Sequence, residues 1–392
     1  NVWDLENKKY FDLSTMGVGT NILGYANDAI NSKINLSLKK SNMSTLNCPE
    51  EVKLAETLIQ MHPWSQMIKF AKTGGEANAI AIRIARAKTE KDKVAVCGYH
   101  GWHDWYLSAN INDKKNLDTH LIEGLSTKGI PKNLKNTVFP FEYNNYKQLL
   151  KICNKHEIGA IKMEVFRNIP PTNNFLKKVR NLANKKKIVL IFDECTSGFR
   201  ETFGGLHKKY NVKPDMCILG KSIGNGYPIT AILGKKEVMK YASSTFISST
   251  FWTDRVGFVA ALETLKQMKK SKSWEKISKL GKVIKKEWFK IAKKNKLKIK
   301  ISGLDACPSF QIVSKDWLKY KTLISQFMLK NNFLAANTIY VSTAHNDQKI
   351  IKKYFNLLNK IFREINYCEK KMKNVNLLLK TNVCQTSFKR LN

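Results

Sequence analysis

A chain of 392 residues, 43% apolar and 10% aromatic, can bury a sizeable core in two domains, or in one domain with an appendage, and does not have the composition of a disordered protein. No stretch reaches the roughly 18 consecutive apolar residues of a membrane span, and the opening NVWDLENKKYFDLSTMG lacks the basic-then-apolar layout of a secretion signal. The net charge of +37 points toward polyanions, but only eight of the 68 basic residues are Arg, the side chain that reads bases and grips phosphates in bidentate fashion; the lysines, spread along the chain, read as solvated faces, and no nucleic acid partner is expected.

In chain order, residues 1–45 form an N-terminal segment that, having no starting Met, is expected to be truncated or processed. A large domain is expected over 46–255. Within it MIKFA (67–71) reads as a strand, followed by GGEANAIAIRIARAK (74–88), where Ala77, Ile80, Ala81, Ile84 and Ala85 recur at helical spacing. Strand-like KVAVCG (93–98) and IGAIKMEV (158–165) come next, then helix-like NFLKKVRNLANKKK (174–187) and strand-like IVLIF (188–192), DMCIL (215–219) and ITAILG (229–234). Strands alternating with helices predict an α/β fold with a mostly parallel sheet flanked by helices. Ligands in such sheets gather at the carboxyl ends of strands.

A smaller C-terminal α+β domain is expected over 256–368. It comprises a basic amphipathic helix at 282–300, strands FQIVS (310–314) and NTIYVST (337–343), and a closing helix at 348–365. A Lys/Asn-rich tail occupies 369–392. The eight cysteines include no C-x-x-C pair, and no His pair stands at zinc spacing. Neither a metal site nor a disulfide framework is therefore expected, and reduced thiols point to the cytoplasm.

Four features carry possible chemistry, and each has an ordinary alternative. KTGGEANAIA (72–81) is a Gly-rich strand-to-helix turn whose N–H groups suit an anion such as phosphate; any strand-to-helix turn uses such residues. GYHGWHDWY (98–106) sets Tyr, His and Trp around two glycines, a wall for a planar ring or simply a packed aromatic loop. Asp193 and Glu194 follow an apolar run, where they either cap the next segment, pair with Arg200, or hold a protonated ring nitrogen in its charged form. Lys221 follows the strand DMCIL and Gly220; an amine at the mouth of an apolar strand is desolvated and becomes nucleophilic toward an aldehyde. Together these supply what pyridoxal 5′-phosphate requires: a phosphate cradle, a ring wall, an acid for the ring nitrogen and a Schiff-base lysine that also moves the proton at the substrate Cα.

On these residues the sequence resembles the class III (fold type I) pyridoxal-phosphate-dependent aminotransferases, most closely the branch around glutamate-1-semialdehyde aminomutase. The resemblance runs from VWDLENKKYFDLSTMGVGTNILGYA to YVSTAH and is most specific in LIFDECTSGFR, with Lys221 28 residues beyond Asp193. It implies that Thr73, Gly74 and Gly75 contact phosphate, and that Tyr99 stacks on the ring with His100 beside it. It implies that Cys195 faces the ring where members carry Val or Ile. It also implies that Thr250, in SSTFWTDR, reaches the phosphate of a neighbouring subunit, hence a homodimer with shared active sites. Gly75 replaces the family's Thr, Ser197 replaces Thr, and Val165 replaces Pro after Glu164.

For substrate, Arg167 and Arg255 are the arginines available to grip a carboxylate, with structural ion pairs as the alternative. Glu164 and Trp102 are further substrate-side candidates. The expected activity is transfer of an amino group between a glutamate-like donor and a carbonyl acceptor. An intramolecular glutamate-1-semialdehyde 2,1-aminomutase is the alternative, and a non-catalytic interaction protein with the same fold is a third reading.

Overall fold

Apolar runs without polar alternation form strands buried on both faces, and such runs build the centre of this molecule. The computed structural model describes residues 1–120, 122–166 and 168–385. Among these the strands are β1 Val2–Trp3, β2 Lys9–Asp12, β3 Met67–Ala71, β4 Lys93–Cys97, β5 Val138–Pro140, β6 Ile158–Glu164, β7 Val189–Glu194, β8 Met216–Leu219, β9 Thr230–Gly234, β10 Ile299–Ser302, β11 Ser309–Ile312 and β12 Phe333–Leu334. Seven of them form one sheet in the order β3-β9-β8-β7-β6-β4-β5. The pairs β4–β5, β4–β6, β6–β7 and β7–β8 are parallel, while β9 runs antiparallel to both neighbours. This is the fold type I architecture that the sequence predicts.

Strand β7 continues through the two acids. Asp193 pairs with Glu164 and Ile218, and Glu194 pairs with Leu219, so the carboxylates are the last two rungs of the strand and not the loop beyond it. Alternation sends them to opposite faces. Val189, Ile191 and Asp193 share a face with Ala160, Lys162 and Glu164 of β6, covered by the helix Gly74–Thr89 through Ala77, Ile80, Ala81 and Ile84. Leu190 and Phe192 lie on the other face with Ile161 and Met163, under the helix Phe175–Lys185. Each fully buried aliphatic side chain here contributes about 1.5–3 kcal/mol. Lys162, equally buried at 0% exposure, buries an aliphatic stem but costs the desolvation of its amine.

The C-terminal part is built on the helices Arg255–Ser271, Ser273–Lys294, Trp317–Lys330 and Gln348–Glu369. Buried Trp288 donates its indole N–H to Tyr354 Oη at 2.9 Å, tying two of them together. Two sequence expectations need correction. The basic helix ends at Lys294 and residues 299–302 form β10, because Lys296 takes a positive φ and Leu297 turns back to bond Ala292 O. Residues 337–343 do not form a strand. The Ile339 and Val341 N–H groups go to Pro308 and Ala306, the Tyr340 N–H goes to Ser14, and only Thr338 bridges Ser309. The N-terminal residues join both parts. Strand β2 pairs in parallel with β12, and the helix Asp28–Leu38 packs Ile30 and Ile34 on Val259 and Ala260.

Candidate active site

The two acids ending β7 do different jobs. Asp193, 5% exposed, accepts from His100 Nδ1 at 2.8 Å through Oδ2 and from Cys195 N at 3.1 Å through Oδ1. Burial pushes its carboxyl up, but the Lys162 ammonium and the His100 hydrogen bond outweigh burial and hold it below the usual carboxylate range. Glu194, on the opposite face, accepts from His207 Nδ1 at 2.6 Å, from His207 N, from Leu206 N and from Ser197 Oγ. His207 Nε2 in turn accepts from Trp64 Nε1 at 2.9 Å. Glu194 thereby pins the 197–207 loop. Cys217 also lies near these two groups, but the hydrogen bonds already engage both imidazole nitrogens and both carboxylate oxygens, so the cluster reads as a structural network. Arg200 pairs with neither acid. It donates to Gly19 O and Thr196 O and lies 5.3 Å from the Tyr340 ring centroid.

Two glycine turns meet at Cys195. A Cβ at Gly74 would lie 3.3 Å from its sulfur and one at Gly220 would lie 3.2 Å away, so both backbones approach as closely as a thiol permits. Next to Gly220, Lys221 takes φ +44°, a left-handed conformation that costs a non-glycine residue on the order of 1–3 kcal/mol. Its Nζ donates to Thr196 Oγ1 at 3.0 Å. At the other turn Thr73 N-caps the helix in a capping box: its hydroxyl accepts from Glu76 N, and Glu76 Oε2 accepts from Thr73 N at 2.8 Å. The N–H groups of Gly74 and Gly75, first in the helix, fall outside the intrahelical ladder.

The aromatic loop follows β4. Gly98 has φ +112°, and a Cβ there would come 2.6 Å from Glu164 Oε2, so only glycine fits on both counts. The same Glu164 oxygen accepts from Tyr99 N at 3.2 Å, which makes Glu164 a support for the loop. His100 stacks on Trp105, Tyr99 meets Tyr106 edge-on, and Asn78 of the long helix donates to His100 O. Trp102 is exposed at the rim and packs on His103 at 4.6 Å. A Cβ on Gly75 would lie 2.8 Å from His103 Cε1 and 2.9 Å from its Nδ1. The volume of the family's Thr side chain is therefore filled by an imidazole.

The structure thus brings Gly74, Asp193, Cys195 and Lys221 together, with Thr73 and Gly75 on the same glycine turn as Gly74 and with Tyr99, His100 and Glu164 on the adjoining loop and strand. Thr250 is exposed at the start of the short 3-10 helix Thr250–Thr253, whose Trp252 donates to Glu76 of the Thr73 capping box. Arg255 is not available to a substrate carboxylate. It forms a bidentate pair with Glu50 at 2.9 and 3.0 Å, the structural alternative. Arg167 lies outside the described residues. Sequence reasoning missed His103, hidden in an aromatic run, and Lys162, whose signal was a lone Lys inside the apolar strand IGAIKMEV.

These residues fit pyridoxal 5′-phosphate. Two glycine turns close on Cys195, two helix-start N–H groups stand outside the ladder, a buried carboxylate is held below the usual range at the strand end, and the Lys221 amine is held by Thr196 just beyond it. Comparison with known proteins agrees. The aminotransferase class-III family profile matches residues 1–351. The chain is 31% identical to the 3-aminobutyryl-CoA aminotransferase of Cloacimonas acidaminovorans (strain Evry) over 336 residues, covering 83% of this chain and 77% of that one. It is 31% identical to the glutamate-1-semialdehyde 2,1-aminomutase of Wigglesworthia glossinidia brevipalpis over 389 residues, covering 92% and 88%. Among solved structures, the PLP-bound FumI protein of Sphingopyxis sp. MTA144 superposes with a TM-score of 0.85 at 21% identity, over 96% of this chain and 89% of that one, a likeness of fold. No helix among the described residues is long and apolar enough to cross a membrane. The chain belongs to the class-III aminotransferase family and is a pyridoxal-phosphate-dependent enzyme acting on small molecules.

Proposed function

We propose that this enzyme exchanges an amino group between a glutamate-like donor and a separate carbonyl acceptor, with the reacting atoms between Lys221 and Asp193. The supporting observation is the convergence of Asp193 and both glycine turns on Cys195, with the Lys221 amine on the adjoining Thr196. Bound pyridoxal 5′-phosphate supplies an electron sink for the substrate's amino carbon. Lys221, whose amine donates to Thr196 Oγ1, would hold the aldehyde end and carry the proton at the substrate Cα. Asp193 would pair with the ring nitrogen, Tyr99 and His100 would form one wall and Cys195 the other, and Thr73, Gly74 and Gly75 would receive the phosphate. Glu164 supports Tyr99 from behind, while Trp102 and Arg167 remain the substrate-side candidates.

Thr250 is assigned to the phosphate site of the neighbouring subunit, in a homodimer with shared active sites. Its exposure and that of Phe246 and Phe251, at 85% and 65%, support an interface there. A large domain at 46–255 with a smaller one at 256–368 remains the division that suits the sheet and the helical C-terminal part. Eight free cysteines support a reducing cytoplasm.

The second reading, an intramolecular aminomutase, is favoured by the extent of the likeness to the Wigglesworthia protein. The deciding experiment is the visible spectrum of the purified enzyme with L-glutamate and other amine donors. A yellow band that bleaches with a donor and is missing in Lys221→Ala is the expected result. Bleaching by no external donor, with turnover of a semialdehyde alone, would select the aminomutase. A colourless protein that stays so with added cofactor would overturn both.

A further inference from the structure

Lys162 is the one charged side chain of β6 that the activity above does not use. It points to the same sheet face as Asp193, among Val96, Ala160, Ile191 and Ile218 under the helix Gly74–Thr89, and has 0% exposure. Its Nζ has no hydrogen-bond partner among the described residues. An anion does lie near: Asp193 Oδ2, at 4.0 Å. Glu164, next on the same face, is engaged by Tyr99 N. Packing does not explain a lysine here, since Met fills similar volume without a buried charge. Burial weakens the hold of this amine on its proton and Asp193 works against that loss, so what Lys162 adds beyond packing is a cation held against Asp193.

We propose that Lys162 is a buried counter-ion that keeps Asp193 charged and in place until the ring nitrogen of the cofactor takes over that pairing. The proposal rests on the cofactor placement above. Without Lys162, Asp193 would be a buried carboxylate supported by His100 and the Cys195 N–H alone, and such a group takes up a proton or unfolds its surroundings. At 4.0 Å, beyond hydrogen-bond reach, Lys162 supplies charge without occupying the lone pairs that a ring N–H needs. Once the ring nitrogen is in place, two cations face one carboxylate. Lys162 is therefore a positioning residue that stabilises the cofactor-free protein and weakens cofactor binding.

The test is Lys162→Met, Asp193→Asn and the double variant, each with and without pyridoxal 5′-phosphate. Lys162→Met is expected to lower the melting temperature of the cofactor-free protein, to show a larger cofactor-induced rise than the wild type, and to bind the cofactor at least about tenfold more tightly, since a like charge several ångströms away in a protein interior outweighs one tenfold step. A role in packing alone would shift both forms equally and leave the dissociation constant unchanged, and that result overturns the proposal. If Lys162→Met does not fold alone, the double variant decides. Recovery on removing Asp193 supports the counter-ion, and no recovery overturns it. A wild type that takes up no cofactor defeats the cofactor placement instead, and the stability of the double variant still judges the pairing of Lys162 with Asp193.

Discussion

His100 Nδ1 stands 2.8 Å from Asp193 Oδ2, with the imidazole wholly buried and the carboxylate 5% exposed. Burial lowers the affinity of this imidazole for a proton, partly offset by Asp193, so a neutral ring donates its Nδ1–H to a charged oxygen. A hydrogen bond to a charged group is worth about 1.5–3 kcal/mol. Asn and Leu at position 100 have nearly the same shape, but only Asn offers a donor. His100→Asn is expected to be more stable than His100→Leu by roughly that amount in urea unfolding. A Leu variant as stable as the Asn variant would mean that Asp193 does not depend on His100.

Much of this arrangement was legible in the sequence, because apolar runs such as IVLIF and the spacing from Asp193 to Lys221 are local patterns. The face of β7 that each acid takes follows from strand alternation once the strand is known to extend to Glu194. What was not legible is long-range. Nothing in FLA (333–335) announces that Phe333 pairs with Phe11, and a β-like composition in NTIYVST does not reveal that the N–H groups of Tyr340 and Thr343 go to Ser14 and Ile22 while those of Ile339 and Val341 go to Pro308 and Ala306. The bond from Arg200 to Gly19, likewise, spans 181 residues. At the site, the exchange of a Thr hydroxyl for an imidazole could not be read because Gly75 and His103 meet only through the fold.

That meeting makes Gly75 and His103 a coupled pair. A Cβ at position 75 would come within 2.8 Å of the imidazole, closer than carbon atoms pack. Gly75→Thr is expected to cost about 1–3 kcal/mol of stability through overpacking. Combining it with His103→Ala opens the space, so the double variant should be more stable than the sum of the single changes predicts, with a coupling of about 0.5–3 kcal/mol. Guanidinium unfolding of the three variants gives the cycle, and strictly additive losses would show that His103 moves aside at no cost.

The pH dependence of stability has an identifiable source in His62, which is 1% exposed. Its Nδ1–H donates to Leu58 O at 2.9 Å, and its Nε2 accepts from Gly205 N at 2.9 Å. The neutral ring therefore satisfies both sites, and a second proton would set two N–H groups against each other. Burial pushes its pKa down to about 4 from an ordinary 6.5, the Leu58 carbonyl opposing only in part. Between those values the unfolded chain binds more protons than the folded one, so stability rises with pH. The contribution is fully present above 6.5, shrinks as pH falls, and is gone below 4. It amounts to roughly 3 kcal/mol. Burial shifts His100, His120 and His345 in the same direction, so the wild-type slope is a sum over several rings. His62→Gln retains a donor and an acceptor without a titration. Its urea midpoint should fall less between pH 7 and pH 4 than that of the wild type, by the equivalent of roughly 3 kcal/mol. Parallel curves for the two proteins would mean that His62 is already protonated, or wet, in the folded state.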